Sequence, residues 1–316
     1  MVNNVKRAVI LISTLGLIYF TAYSVNISQL KPSLTIEFFI YASIALIFLL
    51  FSYALSCLRW LLLLKTIDKS LKFSDIFYIF YLSNTISTYI PGMLLGDYFR
   101  YELLRKKIRL EGIWNAISYT VLVDRMISLT SLIINISLFY MIFIEKDILI
   151  YNIIYYILIG ILSIIITLYV IYIVRIKIIK LLYNLEGFGG IKIYNFLSFI
   201  NNNKLRIFFL IPFSMLVNYT VLISFYFITV AYELNLNFIA SSMSVQLAFF
   251  GTLIPLSPSG LGISEYIYSE MYSLITNSFN NIIYVYVAFR LVCLIANLPS
   301  FLYIFMNYFS SNHPKI

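Results

Sequence analysis

Asn84-Thr85-Ile86-Ser87-Thr88-Tyr89-Ile90-Pro91-Gly92-Met93-Leu94-Leu95-Gly96-Asp97 puts a proline, two glycines and an acid into an otherwise apolar stretch, about 73–95. Proline removes a backbone N–H, and glycine permits turns that other residues resist, so a break is expected here rather than one continuous helix. At membrane depth a broken backbone is tolerated only where protein or a water-filled cavity satisfies its amides. Whether the chain crosses or turns back here decides which side Arg100, Arg105, Lys106, Lys107 and Arg109 occupy. If it turns back, all lysines and arginines outside apolar runs, except Lys31 and Lys146, share one side, which the positive-inside bias makes the cytoplasm. A full crossing would scatter them. The expectation is a re-entrant segment, with both chain ends cytoplasmic.

The surrounding chain reads as an all-α polytopic membrane protein. Of its 316 residues, 62% are hydrophobic and 11% charged, with a mean hydropathy of +0.94. Soluble domains carry about 25% charged residues, so lipid must solvate much of this chain. About six full spans are expected, near 8–25, 38–64, 112–143, 148–174, 207–232 and 282–309. The first, preceded by Lys6 and Arg7, reads as an uncleaved helix rather than a signal peptide. The net charge of +9 is accounted for by cations at helix ends and does not call for nucleic acid. Cys57 and Cys293 lie inside apolar runs, and the single histidine, His313, lies in the tail, so neither a metal site nor a cofactor is implied. Residues 175–206 read as a cytoplasmic connector. Gly187, Gly189 and Gly190 should break any helix there, leaving either a loop or a short helix on the membrane surface over 186–206.

A second irregular stretch, about 236–276, contains Gln246, Gly251, Pro255, Pro258, Gly260, Gly262 and Glu265. It repeats the order of the first: an amide residue, proline, glycines, an acid, and then a long apolar span holding an arginine. Asp97 is followed by Arg125, and Glu265 by Arg290. By the same topology this second dip enters from the outside, so the two form an inverted repeat with halves about 36–143 and 207–309 within a single domain, 1–316. Arg125 lies about 20 Å into its span. A charge there needs an interior position and a partner. Asp124 points about 100° away on the same helix, so Asp97 and Glu265 are the better candidates. Arg59, near a helix end, is expected to snorkel.

At these residues the chain resembles the transmembrane (flippase) region of lysylphosphatidylglycerol synthases and its flippase-like relatives. Asn84, Pro91, Gly92, Gly96, Asp97, Arg100, Asp124 and Arg125 follow the order of the first family motif, and Pro255, Pro258, Gly260, Gly262 and Glu265 follow the second. Leu95 and Ser259 stand where the family usually has glycine. The soluble aminoacyl-transferring domain of the full synthases has no counterpart. The resemblance implies lipid translocation across the cytoplasmic membrane rather than synthesis, with those residues and Arg290 around the substrate. The expected partners are membrane lipids: a phospholipid, an aminoacyl-phospholipid or a polyprenyl-phosphate-linked glycan. A separate synthase or glycosyltransferase is a further expected partner. Two other readings compete. One is a membrane glycosyl- or phospho-transferase using Asp97 or Glu265, disfavoured because the outer loops offer only scattered acids. The other is a non-transporting scaffold for a synthase. No P-loop is present, so energy would come from a gradient or a partner.

Overall fold

In the computed structural model, the residues described are 35–89, 93–108, 114–143, 188–252, 260–276 and 282–310, and they are helical with short links. In chain order the helices are α1 (Ile36–Leu64), α2 (Phe73–Tyr89), α3 (Met93–Lys107), α4 (Trp114–Phe143), α5 (Phe188–Asn202), α6 (Lys204–Ala231), α7 (Phe238–Gly251), α8 (Ile263–Thr276) and α9 (Ile283–Ser310). Among the described residues, α1, α4, α6 and α9 contain the four stretches long and apolar enough to cross a membrane. They coincide with four of the six expected spans; the other two, near 8–25 and 148–174, lie outside the described residues. Helix ends carry local signals. Thr35 Oγ1 accepts the Phe38 N–H at 3.2 Å, and the Asn237 side chain accepts the N–H groups of Ile239 and Ala240, satisfying donors that a first turn leaves free.

The two irregular stretches form helical hairpins. Their helices have 17 and 15 residues in the first and 14 each in the second. At 1.5 Å per residue, each is about 21–26 Å long, shorter than a bilayer's hydrocarbon core. In the first, Lys107 Nζ at the end of α3 meets Asp75 Oδ1 at the start of α2, at 2.7 Å. Nearer the turn, Arg100 stacks its guanidinium 4.5 Å from the Phe80 ring centre, and Gly96 lies against Ser83 and Ser87. These pairings set α2 and α3 antiparallel. In the second, Ser241 meets the Tyr268 hydroxyl at 3.2 Å, and the Tyr272 hydroxyl accepts the Asn237 N–H at 3.2 Å. At its other end, Gly260 and Ser264 close on Gly251. Pro91, Gly92, Pro255 and Pro258 lie outside the described residues.

The chain divides into two compact units. One draws on Met1–Leu58, Lys72–Ile108 and Leu216–Ile316, and so holds both hairpins and α9. The other draws on Arg59–Leu71 and Arg109–Met215, and holds α4, α5 and the flanking ends of α1 and α6. Two expectations about this second unit are corrected. Gly189 and Gly190 do not break the connector: they sit in the first turn of α5, where helical hydrogen bonding asks least of the backbone. Nor is the apolar side of α5 left for lipid. Phe196, Phe199 and Ile200 pack against the buried cluster of Leu63, Val123, Ile127 and Leu210, and both phenylalanines also meet the Tyr119 ring.

Candidate functional site

In the first unit both hairpins are tied to the middle of α9. On α9, Tyr286, Arg290, Cys293, Asn297 and Ser300 recur at intervals of three or four and so share a face. Arg290 receives the second hairpin: its Nε pairs with Glu265 Oε1, and its guanidinium lies 5.9 Å from the Tyr286 ring centre. Glu265 is 1% exposed, and its other oxygen accepts the Gly262 N–H at 2.7 Å. A carboxylate in the first turn of α8, reaching back to the residue before the helix, is the reciprocal half of a capping box, and it sits where the helix dipole favours negative charge. Glycine is required at this approach. Gly260 and Gly262 have φ of 72° and 89°, a conformation L side chains rarely adopt.

Two turns along α9, about 10 Å away, Asn297 receives the first hairpin. Its Oδ1 accepts from Asn84 Nδ2 at 3.1 Å, and its Nδ2 donates to the Tyr53 hydroxyl at 3.0 Å and to its own helix at Cys293 O, 2.8 Å. Pro299 leaves the Ile295 carbonyl without its helical N–H. The neighbouring carbonyls are drawn to α2: Tyr89 donates to Leu294 O at 2.7 Å, and Tyr81 donates to Ala296 O. Asn297 is wholly buried, and removing it takes one hydrogen-bond partner from each of the Asn84 amide and the Tyr53 hydroxyl. Asn297→Leu is therefore expected to cost about 1–3 kcal/mol, read by thermal unfolding of the purified protein. An unchanged transition would show that the contact carries no weight.

Of the residues expected from sequence, Asn84, Glu265 and Arg290 thus converge on α9, with Gly260 and Gly262 shaping the approach. Gly96, Asp97 and Arg100 lie on α3, where Gly96 and Arg100 are buried and Asp97 is half-buried. Asn297, Tyr53 and Tyr81 were not anticipated. The spacing of polar residues along α9 was the signal that could have found Asn297.

Asp124 and Arg125 belong to the second unit. Asp124 pairs across helices with Arg59, whose Nε lies 2.8 Å from Asp124 Oδ1, and Arg125 follows it half-buried. Arg59 therefore does not snorkel. It is 5% exposed, because a buried carboxylate within reach outweighs a retreat to water.

Among the described residues, no group of three His, Cys, Asp or Glu side chains is placed to hold a metal. No curated protein and no solved structure matches the chain. A family model, described as the lysylphosphatidylglycerol synthase TM region, matches residues 7–299, which is most of the chain. The protein therefore belongs to the lysylphosphatidylglycerol synthase TM-region family, a multi-pass membrane family with a lipid-related role.

Proposed function

We propose that this protein is a lipid flippase whose hairpins are re-entrant and hold the polar headgroup while the acyl chains stay in lipid. The observation that carries the reading is the attachment of two half-length, Pro/Gly-broken hairpins to one polar face of α9, through Asn84–Asn297 and Glu265–Arg290. Half-length helices ending inside a bilayer need an internal polar cavity, and a charge pair there marks a substrate path.

The substrate is a lipid with an anionic headgroup: a phospholipid, its aminoacylated form, or a polyprenyl-phosphate glycan. Arginine's planar fork matches phosphate oxygens. In the resting chain Glu265 occupies Arg290 as an internal anion, and a headgroup phosphate competes with it. Asp97, half-buried on α3, is assigned to a cationic group on the same lipid. On this reading the protein moves its substrate without altering it.

Purified protein in proteoliposomes, given fluorescent-tailed phosphatidylglycerol, should speed its exchange between leaflets. Arg290→Lys keeps the charge but loses the fork, so it should fold and exchange the lipid far more slowly. No acceleration with any phospholipid or polyprenyl-phosphate probe would end the flippase reading. Topology is tested separately. Single cysteines at Lys72 and Arg105, with Cys57 and Cys293 replaced, should be labelled from the same side of the membrane; labelling from opposite sides would rule out a re-entrant first hairpin.

A further inference from the structure

Several buried hydroxyls on the hairpins are spent on their own helices. Ser83 donates to Ile79 O at 2.7 Å, Thr85 to Tyr81 O at 2.9 Å, and Ser244 to Ala240 O at 2.8 Å. Ser264 is different. It is 0% exposed, and its Oγ has no hydrogen-bond partner. It lies in the first turn of α8, where no helical carbonyl stands one turn behind it. The Tyr286 hydroxyl of α9 comes near without closing a hydrogen bond on Ser264 Oγ.

The start of α8 is built from donors. The Gly262 carbonyl accepts the Tyr266 N–H at 3.2 Å, the first bond of the helix, so Gly262 is its cap. Glu265 bonds back to the Gly262 N–H, which is one half of a capping box. The other half is a cap side chain that accepts from the first turn, and glycine has none. The amides of Ser264 and Glu265 therefore lack that acceptor, although both residues are buried at the positive end of the helix dipole. The hydroxyl itself projects back over this end. A Cβ built on Gly260, just before α8, would lie 2.8 Å from Ser264 Oγ, and one on Gly251, at the end of α7, would lie 2.9 Å from it. Arg290 adds a cation beside the next residue, Glu265. Amides and a guanidinium only donate, and a hydroxyl can join them. An oxygen that only accepts and carries negative charge suits the whole set, and phosphoryl oxygens have that chemistry.

We propose that Ser264 is a binding residue for a phosphoryl group, donating its hydroxyl beside the first-turn amides of α8 while Arg290 supplies the charge. That a lipid carries the phosphoryl group rests on the flippase reading; anion binding at Ser264 does not. Glu265 holds Arg290 while the seat is empty. The end of α7 closes the seat through Gly251, so the ligand enters as α7 and α8 part at that end. No covalent bond forms or breaks. Because a buried hydroxyl without a partner contributes nothing to the empty fold, Ser264→Ala should cost no stability until ligand is added.

The test uses purified full-length protein in a neutral detergent, with binding read from the shift of the thermal transition. Dioctanoyl phosphatidylglycerol should stabilise the wild type, and dioctanoylglycerol, which lacks the phosphoryl group, should not. Ser264→Ala should melt at or above the wild type without lipid, yet bind phosphatidylglycerol about tenfold more weakly or worse, the loss expected for a hydrogen bond to a charged group. Equal binding by the two proteins would overturn the proposal. So would a clearly lower transition or no folded protein for Ser264→Ala, because the hydroxyl would then be structural. Inorganic phosphate at constant ionic strength separates the sources. If it binds in a Ser264-dependent way and the lipid does not, the seat stands and its ligand is free phosphate. Lipid exchange in proteoliposomes separates the seat from the flippase reading. Exchange by the wild type with lipid binding unaltered in Ser264→Ala would remove the seat alone. Ser264-dependent binding with no exchange of any lipid probe would remove the flippase reading alone.

Discussion

Arg290→Met, made alone, is expected to destabilise the protein by about 3–5 kcal/mol, because it leaves Glu265 buried without its cation. The Gly262 N–H still donates to that carboxylate, but one backbone donor does not offset the loss of a full charge at a site 1% exposed. Glu265→Leu alone should be as damaging, for the mirror-image reason. The double variant Arg290→Met/Glu265→Leu removes both charges and should return to within about 1 kcal/mol of the wild type, since apolar replacement of a whole buried pair is often tolerated. Thermal unfolding of the four proteins measures the cycle. The pair's role in transport is read separately, because the double variant should fold and yet lose lipid exchange. Full exchange in that double variant would reduce Glu265 and Arg290 to a structural strut.

The second large effect is expected at Gly260. A methyl group there would lie 2.6 Å from the Gly251 carbonyl oxygen, and the residue has a φ of 72°. Gly260→Ala therefore combines a left-handed backbone penalty of about 1–2 kcal/mol with an overpacking cost of about 1–3 kcal/mol. Neither term is relieved by trimming a neighbour, because the obstruction is backbone. Gly96→Ala provides the comparison. Its added methyl would meet the Ser87 hydroxyl and lie 2.7 Å from Ser83 O, with no unusual φ at the glycine. It should cost less, about 1–3 kcal/mol, and Ser87→Ala should recover part of that. If Gly260→Ala melts with the wild type, the close approach of the α7 end to the turn before α8 is not a constraint.

Both hairpins were visible in the sequence because their signals are local. Pro91 and Gly92, between Asn84 and Asp97, interrupt a helical stretch wherever it is placed, whereas Gly96 continues α3, and the shortness of α2, α3, α7 and α8 follows from where such breaks fall. The long spans α1, α4, α6 and α9 are equally local, since a run of apolar residues needs no partner to be recognised. The pairing of Glu265 with Arg290 was within reach for a related reason: the two residues follow each other across one short connection, and the charges demand a partner.

What only the tertiary structure decided are the choices among chemically equivalent partners. Asp124 needed a cation, and its neighbour Arg125 points away from it on the same helix. Arg59, distant in sequence, was selected by the rotation of α1 against α4, and its position near a helix end pointed instead to solvent. Asn297 carries no motif and no charge; the polar spacing along α9 marks its face, but not that it would receive Asn84 and Tyr53. The apolar face of α5 would satisfy a membrane surface as well as a protein core; Leu63, Val123, Ile127 and Leu210 took it. Hydropathy and chain breaks act along the backbone and are written in the order of residues. Which side chains meet depends on helix rotation and close packing, where a single turn exchanges one partner for another.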